Sequence, residues 1–155
     1  MSTSKNPEAI RVPAPILTIV HIILVILLGN LLPLPVPVPA FVPWLGLVIA
    51  GLGLVLGILA SMEFRRIRTT MDLKKSPTGL VTSGVYRYTR NPVYLGFVFM
   101  LIGFSLSMRT YWGIIFIVPL VTLMNTLVIK KEEANLEKKF KTQYADYKSR
   151  VRRWL

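Results

Sequence analysis

A chain of 155 residues is long enough for one domain, and this one is 53% hydrophobic and only 17% charged, with a net charge of +12. No residue from Val12 to Met62 carries a formal charge when His21 is neutral, and a soluble domain of this size has no core deep enough to hide such a block. The lack of cysteine excludes disulfides, thiolate catalysis and cysteine-ligated metals. The basic excess reads as charge flanking membrane spans, not as a nucleic-acid groove, which would need aromatic platforms outside the bilayer.

The opening MSTSKNPEAIRVPAP runs into an apolar stretch too long for a signal peptide, so it reads as a retained span. About 20 apolar residues cross the roughly 30 Å of hydrocarbon. Span one is predicted over residues 16–32, ending where Pro33, Pro35, Pro37 and Pro39 form an uncharged Pro-x repeat that cannot continue a helix. Span two is predicted over residues 41–62, with Trp44 as an interface anchor and Gly46, Ala50, Gly53 and Gly57 on one face, where small residues permit close helix approach. Its string GLGLVLG lacks the preceding strand and the spacing of a dinucleotide fingerprint.

A polar loop follows over residues 63–90, with Glu63, Arg65, Arg66 and Arg68 at its start and Pro77, Gly79 and Gly84 as punctuation. Span three is predicted over 92–108, then a tight connection at Arg109 and Thr110, then span four over 111–129 with Tyr111 and Trp112 as anchors and Pro119 as a kink. A basic amphipathic helix is predicted over 132–150, its apolar stripe formed by Leu136, Phe140, Tyr144 and Tyr147. Every Lys and Arg except Arg109 falls in the N-terminal arm, the 63–90 loop or the tail. The expected protein is therefore a single all-α, multi-pass membrane domain of about four spans, both termini cytoplasmic, with a cytoplasmic C-terminal helix.

Polar residues inside the spans are functional candidates by default: His21 and Asn30 in span one, Thr122, Asn125 and Thr126 in span four. The segment GLVTSGVYRYTRNPVYLG is denser, with arginines, tyrosines and an Asn-Pro pair just before span three. Pro92 suits a first helical turn and Asn91 its cap. Glu132 and Glu133 stand where span four ends, a position at which acids oppose the helix dipole.

Two stretches, GLVTSGVYRYTRNPVYLG and then EEANLEKKFKTQYADYKSRV, together resemble the isoprenylcysteine carboxyl methyltransferase family, itself similar to the membrane phospholipid N-methyltransferases. Gly84, Tyr86, Arg90, Pro92 and Tyr94 carry the first part of the pattern; Glu132, Glu133, Leu136, Phe140, Tyr144 and Tyr147 carry the second. The resemblance covers roughly residues 63–155. Asn91 stands where the eukaryotic prenylcysteine enzymes usually have His, and Lys141 where they usually have Gly.

The resemblance implies an S-adenosylmethionine-dependent methyltransferase with its cofactor pocket at the cytoplasmic face and no metal. Tyr86, Arg87, Arg90, Asn91, Pro92, Tyr94 and Gly96 would form one wall, and Glu132, Glu133 and Tyr144 the other. Arg90 and Asn125 are the expected catalytic residues. The acceptor would be lipophilic, like an isoprenylcysteine carboxylate, entering from the bilayer between spans two, three and four. Membrane lipid is the other expected partner. Methyl transfer to nitrogen or sulfur of a phospholipid or small molecule is an alternative, as is a catalytically inactive lipid-binding membrane protein.

Overall fold

The computed structural model describes residues 13–67 and 79–155; the basic N-terminal arm, Arg68 and Pro77 lie outside the described residues. Five helices follow in order: α1 (Ala14–Leu31), α2 (Val42–Arg66), α3 (Pro92–Ser107), α4 (Trp112–Leu123) and α5 (Lys130–Arg150). A 3-10 turn at Gly84–Arg87 precedes α3, and a π-helical stretch at Met124–Ile129 joins α4 to α5. No β-strand occurs among the described residues, so the all-α class expected from composition is found.

Among the described residues three helical stretches are long and apolar enough to cross a bilayer: α1, α2 and the stretch Trp112–Arg150, in which α4 runs on into α5. Helix α3 is apolar but has 16 residues, which at about 1.5 Å per residue reach about 24 Å, short of the roughly 30 Å hydrocarbon core.

Helices α2 and α3 share the most extensive contact in the fold, and its cause is legible residue by residue. A Cβ at Gly53 would lie 2.5 Å from the Gly96 carbonyl oxygen, and one at Gly46 would lie 2.6 Å from the Gly103 carbonyl oxygen. The pairs 46/103 and 53/96 run in opposite directions, so the helices are antiparallel and their backbones touch. Close approach of this kind replaces the hydrophobic drive that lipid does not supply. Ala50 joins the contact at Gly103, but a Cβ at Gly57 meets nothing within 4 Å, so Gly57 stands beside the seam. Gly96, expected in the cofactor wall, belongs to this seam: a Cβ there would lie 2.6 Å from the Gly53 carbonyl oxygen.

At one end of the bundle the Pro-rich connection after α1 meets the turn after α3. Val36 N–H donates to the Arg109 carbonyl (2.9 Å) and Tyr111 N–H to the Leu34 carbonyl (3.0 Å). Trp112 Nε1–H donates to the Leu32 carbonyl at 2.8 Å. Alternating prolines hold the backbone extended and remove every second donor, so the residues between them supply the bonds. Helix α1 packs on α4, where the His21 ring stands edge-on to Phe116 at 5.8 Å. His21 Nδ1 lies 2.7 Å from the Leu17 carbonyl, and Asn30 donates to the Ile26 carbonyl. Both polar residues are thus satisfied within their own helix.

The helix continues past the last apolar residue instead of ending there. In the π-helical stretch the Thr126 hydroxyl donates to the Thr122 carbonyl at 2.8 Å, taking the acceptor that Thr126 N–H would use in α register, and such back-bonding bends helices. Helix α5 begins at Lys130 and is broken at Lys141, with φ 40° and ψ −112°, a region that side-chain-bearing residues rarely enter. The helix expected over 132–150 is therefore two shorter helices. Beyond the break, Tyr144, Tyr147 and Val151 form one buried cluster against which Leu80, Leu136 and Phe140 pack.

Two substitutions test these features by thermal unfolding in detergent. Gly53→Val forces the α2–α3 backbones apart and should destabilise by about 1–3 kcal/mol. Lys141→Gly removes the steric cost of positive φ and should raise stability by about 1 kcal/mol.

Candidate active site

The loop before α3 is anchored from below by α2. Gly84 has φ +56°, and the Glu63 side chain of α2 fills the place where a Cβ at Gly84 would stand. A side chain there would meet both strain and collision. The Ser83 hydroxyl donates to the Glu63 carboxylate, and the Tyr86 ring packs edge-on against Phe64 at 5.7 Å. Tyr86 is thereby buried with Ala60 and Val81. Burial, then the nearby Tyr147, Glu132 and Glu63, raise its phenol far above the ordinary range.

Past this turn the chain presents Arg90 toward α5. Arg90 Nη1 lies 3.3 Å from Glu133 Oε1, with both side chains about nine-tenths buried at 9% and 10% exposure. The same nitrogen donates to the Tyr144 hydroxyl at 3.4 Å. Glu133 is also gripped from a second direction. Arg153 donates from Nε to Oε1 (3.1 Å) and from Nη2 to Oε2 (2.6 Å), a bidentate pair of the strong, orienting kind. This contact raises the Arg153 pKa. Arg90 Nε is buried with no hydrogen-bond partner among the described residues.

Glu132, one residue earlier, faces another way and accepts a 2.7 Å hydrogen bond from the Tyr94 hydroxyl of α3. The two carboxylates therefore serve different neighbours. Because the helix runs on through Lys130, both lie inside a helix and not at its C-terminus. The dipole conflict expected there does not arise.

Tyr147 donates to the Tyr86 carbonyl at 2.7 Å, which ties the second half of α5 to the 3-10 turn. Burial, then Tyr144, raise the Tyr147 phenol, with Arg90 opposing. Burial, then Glu133, push Tyr144 up to about 12, again with Arg90 opposing.

The structure thus gathers Tyr86, Arg90, Tyr94, Glu132, Glu133 and Tyr144 at the junction of the loop, α3 and α5. The remaining expected residues have other places. Arg87 is exposed at the end of the 3-10 turn. Pro92 is the fully buried first residue of α3. Asn91 makes no cap through its side chain; it donates instead from Nδ2 to the Arg153 carbonyl at 2.9 Å. Asn125, expected to be catalytic, lies in the π-helical stretch and accepts from Trp154 Nε1 at 3.3 Å.

The segment after α5 was not foreseen as part of the site. Arg90 N–H donates to the Arg152 carbonyl at 3.0 Å, and the Thr89 hydroxyl to the Arg153 carbonyl at 3.2 Å. Residues 151–155 therefore strap the loop to α5. The sequence signal for it was weak: Val151 and Trp154, apolar residues within a run of charge, are what asks for burial there.

A family model described as phospholipid methyltransferase matches residues 41–143, more than half of the chain, from before α2 into α5. A Haemophilus influenzae protein described as uncharacterized is 32% identical over 63 residues, which cover 41% of this chain and 100% of that protein. No solved structure matches.

The Tyr144 phenol gives a pH signature. Its folded pKa of about 12 lies above the free value of about 10, so the neutral phenol favours the folded state. That contribution is complete below pH of about 10 and is lost as pH rises through about 12. Tyr144→Phe should flatten the fall of the unfolding midpoint between those pH values, measured against the parent protein.

Proposed function

The chain belongs to the phospholipid methyltransferase family, and on that premise we propose that it is an S-adenosylmethionine-dependent methyltransferase whose donor site lies around Arg90. With three helices long and apolar enough to cross a bilayer, it is an integral membrane protein. The observation that carries the reading is the buried Arg90 Nε, a guanidinium N–H without a hydrogen-bond partner among the described residues. A buried donor left unmade is costly, and a ligand carboxylate is its natural complement. The residues present fit the cofactor: Arg90 for a carboxylate, the Glu132 carboxylate for an ammonium group, and the rings of Tyr86, Tyr94 and Tyr144 for an adenine and a sulfonium.

When bound, the cofactor supplies a methyl group already activated on a sulfonium. The chain then has to bind, orient and exclude water. Arg90 is held by Glu133 and Tyr144 and so fixes the anionic end of its ligand. The Tyr94 hydroxyl orients Glu132. Burial at the α3–α5 junction keeps the site dry, which favours a reaction in which opposite charges cancel.

The acceptor is lipophilic and reaches the site from the bilayer between α2, α3 and α4. A carboxylate acceptor of the isoprenylcysteine type suits the motif residues. It also needs no base, and both carboxylates at the site are already engaged, Glu133 by two guanidiniums and Glu132 by Tyr94. A phospholipid amine is the second reading, favoured by the matched family's description.

The site lies on the cytoplasmic side, with four crossings and both termini there. In support, the connections after α1 and after α3 are hydrogen-bonded together at the end that carries Arg109, and the remaining basic residues fall elsewhere in the sequence.

Calorimetry on the purified protein in detergent tests the donor site. Parent protein should bind S-adenosylmethionine, and Arg90→Ala should weaken it about 10- to 100-fold, the loss of one charge-assisted contact of roughly 1.5–3 kcal/mol. No binding by the parent at millimolar cofactor would favour the inactive lipid-binding reading, and equal affinity in the variant would remove Arg90 from the site.

A further inference from the structure

Glu133 does not share itself evenly between its two arginines. Arg153 takes both carboxylate oxygens, at 3.1 and 2.6 Å, while Arg90 reaches only Oε1, at 3.3 Å. The two guanidiniums face one carboxylate, so the triad keeps one positive charge. It sits where the Arg90 side chain is 9% exposed and its Nε has no partner among the described residues. The neighbouring carboxylate, Glu132, turns to Tyr94. The charge on Arg153 is delivered by built structure: Thr89 and Asn91 hold its carbonyl, and Trp154 is tied to Asn125. Arg153 and Trp154 themselves lie beyond residue 143, where the family match stops.

We propose that Arg153 is a positioning residue for an anion site centred on Arg90: by taking up the charge of Glu133 it leaves Arg90 positive, with an N–H to offer a ligand oxyanion. Without Arg153, Glu133 would neutralise Arg90 and draw it away from a ligand. The oxyanion is singly charged, to match the one uncompensated cation. Its source is the amino-acid carboxylate of the methyl donor or the phosphodiester of a lipid headgroup; only the first rests on the donor reading above.

Charge removal within the triad separates this role from a structural one. Full-length protein in detergent is titrated with S-adenosylhomocysteine, which carries the carboxylate, and with 5′-methylthioadenosine, which lacks it. Arg153→Gln should weaken the first about 10- to 100-fold and leave the second within about threefold, a shift too small for a lost charged contact. The Glu133→Gln, Arg153→Gln double variant restores the single positive charge and should bind S-adenosylhomocysteine more tightly than Arg153→Gln does.

Arg153→Lys keeps the charge without the bidentate grip, and it decides the matter if Arg153→Gln fails to fold: its preference for S-adenosylhomocysteine over 5′-methylthioadenosine should stay within about threefold of the parent's, a shift too small for a lost charged contact, and loss of that preference overturns the proposal. Equal loss for both nucleosides, or a double variant no better than Arg153→Gln, overturns the proposal. A parent protein that binds neither nucleoside sinks the donor reading. The same variant series titrated with glycerophosphoethanolamine then decides the proposal: the same rank order supports it, and no Arg153-dependent binding overturns it.

Discussion

A carboxylate buried inside a protein has to be paired, because the cost of stripping its water exceeds what any single neutral hydrogen bond returns. Glu133 meets that demand with Arg90 and Arg153, and these three residues come from three separate stretches: α5, the loop before α3, and the segment after α5. Each stretch is fixed partly because the others are. The gain is in location more than in net stability, since desolvation of such groups consumes much of their attraction. Once Glu133 is held, Tyr144 falls beside Arg90 and the strap crosses Thr89 and Asn91.

That arrangement rests in turn on how closely α2 and α3 approach. The loop that carries Tyr86 and Arg90 leaves from near the end of α2 and enters the first turn of α3. With Gly53 against Gly96, the two helix ends are near enough for Glu63 and Phe64 to serve as a floor for the loop. Tyr86, seated on that floor, offers its carbonyl to Tyr147. A glycine contact in the apolar region thus reaches, through four residues, the cluster that closes the site. Larger residues in the seam would move the floor before they touched any charged group.

Much of this fold could be read from the sequence because hydropathy reports a simple property: which stretches lipid tolerates. The course of α1, the start of α2 and the start of α3 at Pro92 could be read this way, as could the small-residue face of α2; the end of α2 could not, because the helix runs on to Arg66 through the Glu63, Arg65 and Arg66 expected to open the polar loop. The motif residues Tyr86, Arg90, Tyr94, Glu132, Glu133 and Tyr144 also come together. What could not be read is which polar group answers which. Asn91 looked like a helix cap by position, yet its amide is taken by the carbonyl of Arg153. Arg153 and Glu133 stand 20 residues apart, a separation that no helical period links. Their meeting depends on a backbone break at Lys141, where nothing in a lysine announces a positive φ.

Helix geometry explains why two adjacent acids can serve two sites. Successive residues on a helix diverge by about 100°, so Glu132 and Glu133 cannot face the same neighbour. Helix α5 is continuous with α4 through the π-helical stretch, so the bilayer-embedded helix sets the depth and rotation of both carboxylates. Glu132 is turned to Tyr94 on α3, toward the helices that lipid surrounds. Glu133 is turned to the loop and the strap. Had α5 continued straight beyond Lys141, Tyr144 and Tyr147 would have been carried away along its axis, and the Tyr147 bond to the Tyr86 carbonyl would have no donor. The strained residue therefore divides labour along one helix: its first half holds the two carboxylates, and its second half folds back to the loop that carries Tyr86 and Arg90.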